Sequence, residues 1–299
     1  MLTGSQLLTS ALLGLVGVHA VPRLAARQST SALRPEQVTA YKPYTFFAGA
    51  AYCQPTNTLS WTCGVNCAAN LGFLPVAAGG DGASTQFWYV GYDPALDTVI
   101  VGYQGSDASK ILPLITDIDV VLTRLDNSLF PGINSSVEVH AGFGAAQARS
   151  ASDVLEAVRS ALSQFNTKQV TIVGHSLGGA IALITSIYLP LHLPSGIVFR
   201  AITYGTPRVG NQAFADYVDA HLHATRINNK EDPIPITPGR FLGYHHPAGE
   251  IHIVTSGAWI SCADQENDNT QCTDGSVSNI LEGDLGDHDG PYDGVMIRC

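Results

Sequence analysis

Hydrophobic and polar positions change their period several times along the chain, and each change predicts an element. From Gln86 to Asp93 ("QFWYVGYD") and from Asp97 to Ser106 ("DTVIVGYQGS") aromatic and β-branched residues crowd between polar ends. Two strands joined at the Asp93-Pro94 turn are predicted, the second ending at Gly105 and Ser106. Pro35 to Tyr52 reads as a helix entering the fold. From Ser135 a short alternating strand passes into a helix with apolar residues at Val154, Leu155, Val158 and Leu162, the spacing of one helical face. "VTIVGHSLGGAIALITSIY", Val170 to Tyr188, predicts strand, tight turn and helix in succession. "IVFRAITYGTPRVG" is a strand stopped by Gly and Pro, and Asn211 is placed to cap the helix after it. "ATRINNKEDPIPI" adds a strand and a turn, and "GEIHIVTSGAWISC" one more strand with Ile251, Ile253 and Trp259 in period two.

Strands alternating with helices imply an α/β protein with a mainly parallel central sheet covered on both faces. The 299 residues would suffice for two domains, but no repeat, low-complexity block or linker divides them. Hydrophobic residues make up 45% and charged ones 13%, with a formal net charge of −10. That balance excludes a disordered chain and argues against nucleic acid or an anionic bilayer as partner.

Residues 1–20 carry an apolar run too short to span a bilayer and end with Val18 and Ala20 in a small-residue cleavage pattern, so a secretory signal is expected. Residues 21–34 form an expected pro-segment or frayed terminus, with trimming after Arg27, and 35–299 the folded domain. No other stretch reads as transmembrane; a secreted monomer without stable membrane insertion is expected. Secretion makes three disulfides the natural state of six cysteines. Of the fifteen pairings six cysteines allow, clustering favours Cys63 with Cys67 and Cys262 with Cys272, leaving Cys53 to meet Cys299. The sequon at Asn134 is a candidate glycan site.

Ser176 sits between Gly174 and Gly178, the pattern that projects a hydroxyl from a strand-to-helix turn. A serine hydroxyl becomes a nucleophile only when a histidine takes its proton and a carboxylate fixes that histidine's tautomer. Behind such an elbow the order is Ser, then acid, then His. Asp232 follows a strand and precedes Pro233, with Glu231 as its neighbouring rival; Asp216 and Asp219 lie on a helix. Among later histidines, His252 alternates with core isoleucines, and His245-His246 lack a third ligand at metal spacing, whereas His288 stands last, in a glycine-rich loop. His288 is therefore the expected base. Two oxyanion donors are expected, the N–H of Leu177 at the start of the helix and Ser106 at the end of an earlier strand. This chemistry calls for no metal or cofactor.

With these residues in view the chain resembles the fungal class 3 lipase family, secreted triacylglycerol lipases and related feruloyl esterases with an α/β-hydrolase-like fold. The resemblance runs from about Val38 to Cys299. It rests on Gly105-Ser106, "VHAGF", "GHSLGGA", "YGTPRVGN", "NKEDPIP" around Asp232, "GYHHP" and His288. It implies the triad Ser176, Asp232 and His288, an oxyanion hole of Ser106 and Leu177, and support for the Cys53–Cys299 pair. It also implies a lid over about 107–119, with Ile111, Leu112, Leu114 and Ile115 as its apolar face. An acylglycerol at a lipid-water interface is the implied substrate, with a feruloyl or other short soluble ester as the alternative. Two features depart from the family's pattern: the acidic loop "CADQENDNTQC", and "DHDGPYDG", where members more often carry an apolar residue after the histidine.

Overall fold

The β-branched runs at the middle of the chain become the parallel centre of a nine-stranded sheet. A computed structural model of the chain describes Met1, residues 29–106, Lys110, Pro113 and residues 120–299. The expected signal peptide beyond Met1, the pro-segment up to Gln28, and the lid residues Ile111, Leu112, Leu114 and Ile115 lie outside the described residues.

In chain order the strands are β1 (Thr30–Ala32), β2 (Leu74–Gly79), β3 (Trp88–Asp93), β4 (Thr98–Tyr103), β5 (Leu122–Arg124), β6 (Glu138–His140), β7 (Gln169–His175), β8 (Val198–Tyr204), β9 (Gly210–Asn211), β10 (His223–Asn229), β11 (Tyr244–His245), β12 (Glu250–Ile253) and β13 (Trp259–Cys262). The large sheet runs β1-β13-β12-β10-β8-β7-β4-β3-β2. The pairings β4·β7, β7·β8, β8·β10 and β10·β12 are parallel. Those outside them, β2·β3, β3·β4, β12·β13 and β1·β13, are antiparallel. The sheet is thus mixed, with the expected parallel order at its centre.

The central strands β4 and β7 are apolar along most of their length because both faces are covered, whereas β8 and β10 carry Arg200 and Arg226 among their apolar residues. Successive residues alternate between two cores as the pleat requires. Val99, Val101 and Tyr103 face one core and Ile100 the other; Val170 and Ile172 face the first and Val173 the second. Helices Ala151–Phe165 and Leu177–His192 cover the first face, and Lys42–Ala50 covers the second.

The structure revises the expected elements in four places. Pro35 to Tyr52 forms two helices, Pro35–Thr39 and Lys42–Ala50, with Pro43 in the first turn of the second, where its missing N–H costs nothing. "GEIHIVTSGAWISC" is a hairpin of β12 and β13 rather than one strand, turned at Gly257 with φ 86°. Strands β1 and β2, short or rich in alanine and proline, were not anticipated. Nor was a second, four-stranded sheet, β11-β9-β6-β5, in which β6 is the short strand expected after Ser135 while β5, β9 and β11, of two or three residues, are too short for periodicity to register.

All three disulfides form as expected: Cys53–Cys299, Cys63–Cys67 and Cys262–Cys272. Asn134 is exposed, its side-chain oxygen accepting from Ser136 N at 2.9 Å in a surface turn. Among the described residues no helix is long and apolar enough to cross a membrane.

Candidate active site

Strand β7 ends at His175, and the helix Leu177–His192 begins two residues later, so Ser176 alone makes the turn. It does so at φ 61°, ψ −129°, a strained conformation for a residue with a Cβ, which costs about 1–3 kcal/mol and is retained at functional turns. The flanking glycines are required by close approach. A Cβ on Gly174 would lie 2.1 Å from Gly178 O, and one on Gly178 would lie 2.3 Å from Tyr103 O at the end of β4. The G-x-S-x-G spacing is therefore the sequence of a turn squeezed between two strand ends.

Strand β10 ends at Asn229, and Asp232 follows in the loop, its N–H donating to Asn229 O at 3.1 Å. One carboxylate oxygen accepts from Ile234 N at 2.9 Å and the other from His288 Nδ1 at 2.8 Å. Both side chains are buried, at 0% and 1% exposure. Glu231 is exposed, and its backbone O accepts from Asp284 N at 2.8 Å in the loop that carries His288. The His288 loop is tied to the end of β10 by Lys230 Nζ to Asp287 Oδ1 and Asn229 Nδ2 to Asp287 O, each 2.8 Å. A carboxylate only accepts, so the Asp232 bond puts the proton on Nδ1 and leaves Nε2 with its lone pair. That Nε2 and Ser176 Oγ are both buried without a hydrogen-bond partner.

His175 joins the serine turn to the histidine loop. Its ring centroid lies 4.4 Å from that of His288, and its Nε2 donates to His288 O at 2.9 Å. The carbonyl can only accept, so Nδ1 of the neutral ring accepts from Tyr52 Oη at 2.6 Å. Burial, aided by His288, holds the His175 pKa well below the usual histidine range and keeps the ring neutral. Tyr292 Oη also donates to His288 O, at 3.0 Å. The His175 and Tyr52 link escaped the sequence reading. Their 123-residue separation leaves no periodic signal, although His175 stood inside the serine motif.

At the other side of Ser176, a Cβ on Gly105 would lie 3.0 Å from Ser176 Cβ and 2.5 Å from His175 O. The chain after β4 thus runs directly against the serine turn, with half-buried Ser106 next in line. Leu177 is buried at the first helical position, where helix geometry gives its N–H no partner within the helix. A cavity of roughly 790 Å³ lies between the segment after Asp232, with Ile236, Pro238, Phe241 and Leu242, and that before His288, with Ile280 and Leu281.

His246 and His252, two of the other candidate histidines, have structural partners. His246 Nε2 donates to Pro235 O at 2.7 Å, and His252 bonds Gln271 O and Lys230 O at 2.8 and 2.7 Å. Among the described residues two groupings have metal-like spacing, but donor atoms in each are already engaged. In His175, His288 and Asp289 both His175 nitrogens are hydrogen-bonded, and in Glu250, Cys262 and Cys272 the sulfurs form a disulfide.

An open mixed sheet, helices on both faces and a serine on a strained strand-to-helix turn define an α/β-hydrolase-like fold. The sequence model of the family described as lipase (class 3) matches residues 100–242. Secreted mono- and diacylglycerol lipase MDL4 of Malassezia globosa is 30% identical over 262 residues, 85% of this chain and 83% of that protein. The chain belongs to the class 3 lipase family. Secreted mono- and diacylglycerol lipase LIP4 of Malassezia restricta is 35% identical over 173 residues, 56% of this chain and 57% of that protein. The match therefore spans little more than half the length of these Malassezia restricta relatives. Lipase II from Rhizopus niveus superposes with a TM-score of 0.77 at 26% identity, covering 91% of this chain and 100% of that one.

Proposed function

We propose that this chain is a secreted serine carboxyl-ester hydrolase that cleaves acylglycerols through an acyl-enzyme. The observation that carries the reading is the buried Asp232–His288 pair, 2.8 Å apart, beside a serine turn whose buried hydroxyl, like His288 Nε2, has no hydrogen-bond partner among the described residues. Hydrogen bonds of this kind commonly tighten only when substrate is bound.

In this mechanism Ser176 Oγ attacks the ester carbonyl while His288 Nε2 takes its proton. Asp232 stays ionised, holds the tautomer and stabilises the imidazolium. The N–H of Leu177 and the donors of Ser106 meet the developing oxyanion, each contributing about 2.7–4 kcal/mol to the transition state. The carbon–oxygen bond to the glyceride breaks as His288 returns the proton to the leaving alcohol oxygen. Water, deprotonated by the same nitrogen, then attacks the acyl carbon, releasing the fatty acid and regenerating Ser176. Acylglycerol as the substrate is supported by family membership, by the names of the relatives and by the apolar cavity beside the loops of Asp232 and His288. Export is supported by the three disulfides and by relatives named as secreted, and the exposed Asn134 is the glycan site in this reading.

The test is a substrate panel of triolein, diolein, monoolein, nitrophenyl butyrate and methyl ferulate, each followed with wild type and Ser176→Ala. Turnover of the glycerides by wild type alone supports the reading. Turnover by Ser176→Ala would refute the mechanism, and activity confined to methyl ferulate and the dissolved ester would move the substrate class to soluble esters.

A further inference from the structure

The segment Asp232-Pro233-Ile234-Pro235-Ile236-Thr237-Pro238 carries the acid of the site at one end and the wall of the cavity at the other. Three prolines deprive it of three backbone donors, so it cannot pair as a strand, yet its carbonyls are buried with it and need partners. Three of these carbonyls are served by one residue. Arg208 Nη1 donates to Ile236 O and also to Pro238 O, the latter at 3.1 Å, and the Arg208 backbone N–H donates to Thr237 O at 2.7 Å. Of the others, Ile234 O is taken by the N–H and Oγ1 of Thr237 at 3.0 and 2.6 Å, and Pro235 O by His246 Nε2 at 2.7 Å.

Arg208 comes from "YGTPRVG" and is 2% exposed. Its other three N–H groups are also engaged. Nε donates to Glu266 Oε1 and Oε2 at 3.0 and 3.2 Å, and Nη2 donates to Glu266 Oε2 at 2.8 Å and Asp274 Oδ1 at 2.5 Å. Glu266 belongs to the acidic loop closed by Cys262–Cys272, and Asp274 lies just beyond it. Glu266 Oε1 further accepts from His246 N at 2.5 Å, which fixes the histidine that caps Pro235. The loop that departs from the family's pattern thus turns this carboxylate inward, onto the guanidinium.

We propose that Arg208, braced by Glu266 and Asp274, is the positioning residue for the acid of the site, holding Asp232 and the cavity wall in one geometry through the carbonyls of Ile236, Thr237 and Pro238. A planar guanidinium with five fixed donors suits this cradle, whereas a lysine ammonium offers three donors from a single point. The inference rests on the proposed role of Asp232 in ester hydrolysis. A small displacement of an orienting group costs rate rather than ground-state affinity.

The experiment compares wild type, Ser176→Ala and Arg208→Lys on dissolved nitrophenyl butyrate, at a temperature where thermal denaturation shows each fully folded. The rate at which diethyl nitrophenyl phosphate modifies the serine is measured alongside. Arg208→Lys is expected to lower kcat by about 10- to 100-fold with KM nearly unchanged, and to slow modification by the same factor. A lowered melting temperature with unchanged kcat and modification rate would overturn the inference. If Arg208→Lys does not fold, Glu266→Gln, which breaks the two-point brace, is read in the same way: a loss in kcat supports the inference, and an unchanged kcat and modification rate overturns it. An inactive wild type, or an active Ser176→Ala, would refute the underlying mechanism instead, so the two failures are distinguishable.

Discussion

His175 Nε2 donates to the backbone oxygen of His288 across 2.9 Å, so the residue before the candidate nucleophile holds the chain that carries the candidate base. The bond requires a neutral ring. Because burial holds the folded pKa of His175 well below the unfolded value of about 6.5, the unfolded chain binds the extra proton in acid. Stability is therefore full above about pH 6.5 and falls as pH drops below it. His175→Gln should flatten the acid-side slope of unfolding free energy against pH by up to about 1.4 kcal/mol per unit, leaving the parts due to His246 and His140, which are shifted the same way. Urea titrations between pH 4 and 7 read this slope; an unchanged slope would mean the ring is already charged in the fold.

Ser176→Ala and His288→Ala should each remove nearly all turnover, by roughly 10⁴-fold or more, and the double variant should lose little further, because the groups act as a unit. His246→Ala removes neither the nucleophile nor the base. It leaves Pro235 O without its donor and should cost about 1–3 kcal/mol of stability while retaining most of kcat. Initial rates on a dissolved ester, paired with melting curves, separate the two kinds of loss.

Asp274 and Glu266 share Arg208 and interact directly, so they do not both ionise freely. Burial, then the bond to Glu266, pushes Asp274 up to about 7, while Glu266 is driven low chiefly by its bonds to Asp274 and Arg208. For Asp274 the folded pKa lies above the unfolded one, so the stability it contributes is present below about pH 4 and is lost as pH rises through 7. Arg208, Glu266, Glu250, Arg226 and, at 4.0 Å from Glu266, Arg240 are the charges that face this cluster among the described residues. Asp274→Asn keeps the acceptor for Arg208 and a donor for Glu266 without the titration. It should be nearly neutral in acid and more stable than wild type at pH 8, as read by thermal denaturation at the two pH values.

Reduction should act chiefly through Cys53–Cys299, whose sequence separation of 246 closes most of the folded domain into one loop. In the chain-entropy account such a loop is worth about 5.5 kcal/mol. A Cys53→Ser, Cys299→Ser variant should lose most of that, and a Cys63→Ser, Cys67→Ser variant less. Equal losses in guanidinium denaturation would show that strain or packing, not loop length, sets the ranking.

The parallel centre of the fold was legible because β4 and β7 are buried on both faces and read as nearly continuous apolar runs, while β8 and β10 were marked by shorter β-branched stretches that end at turn residues. The serine turn was legible because its glycines record a steric requirement, and Asp232 and His288 because chain order narrows the choice. The edge strands were not, since β1, β9 and β11 are too short for a period and β2 carries proline and small residues. Nor was the support around the site. Arg208 with Glu266, and Tyr52 with His175, are 58 and 123 residues apart, and their meeting follows from the folding of the sheet rather than from any local pattern.

At the rim of the cavity, Phe241 and Leu281 are 89% and 95% exposed, one on each side, from the segments after Asp232 and before His288. In water such residues cost free energy, and transfer into lipid recovers it, at about 1.5–3 kcal/mol for a fully buried large side chain. If they meet the substrate's surface during turnover, Phe241→Ser with Leu281→Ser should raise the apparent KM for emulsified diolein by at least tenfold, since about 1.4 kcal/mol is one decade. The kcat for dissolved nitrophenyl butyrate should stay within about twofold, because neither residue touches the serine turn, the Asp232–His288 pair or the Arg208 cradle, and surface changes rarely perturb the fold by more than about 0.5 kcal/mol. Losses of equal size on both substrates would instead assign the two side chains to the shape of the cavity itself.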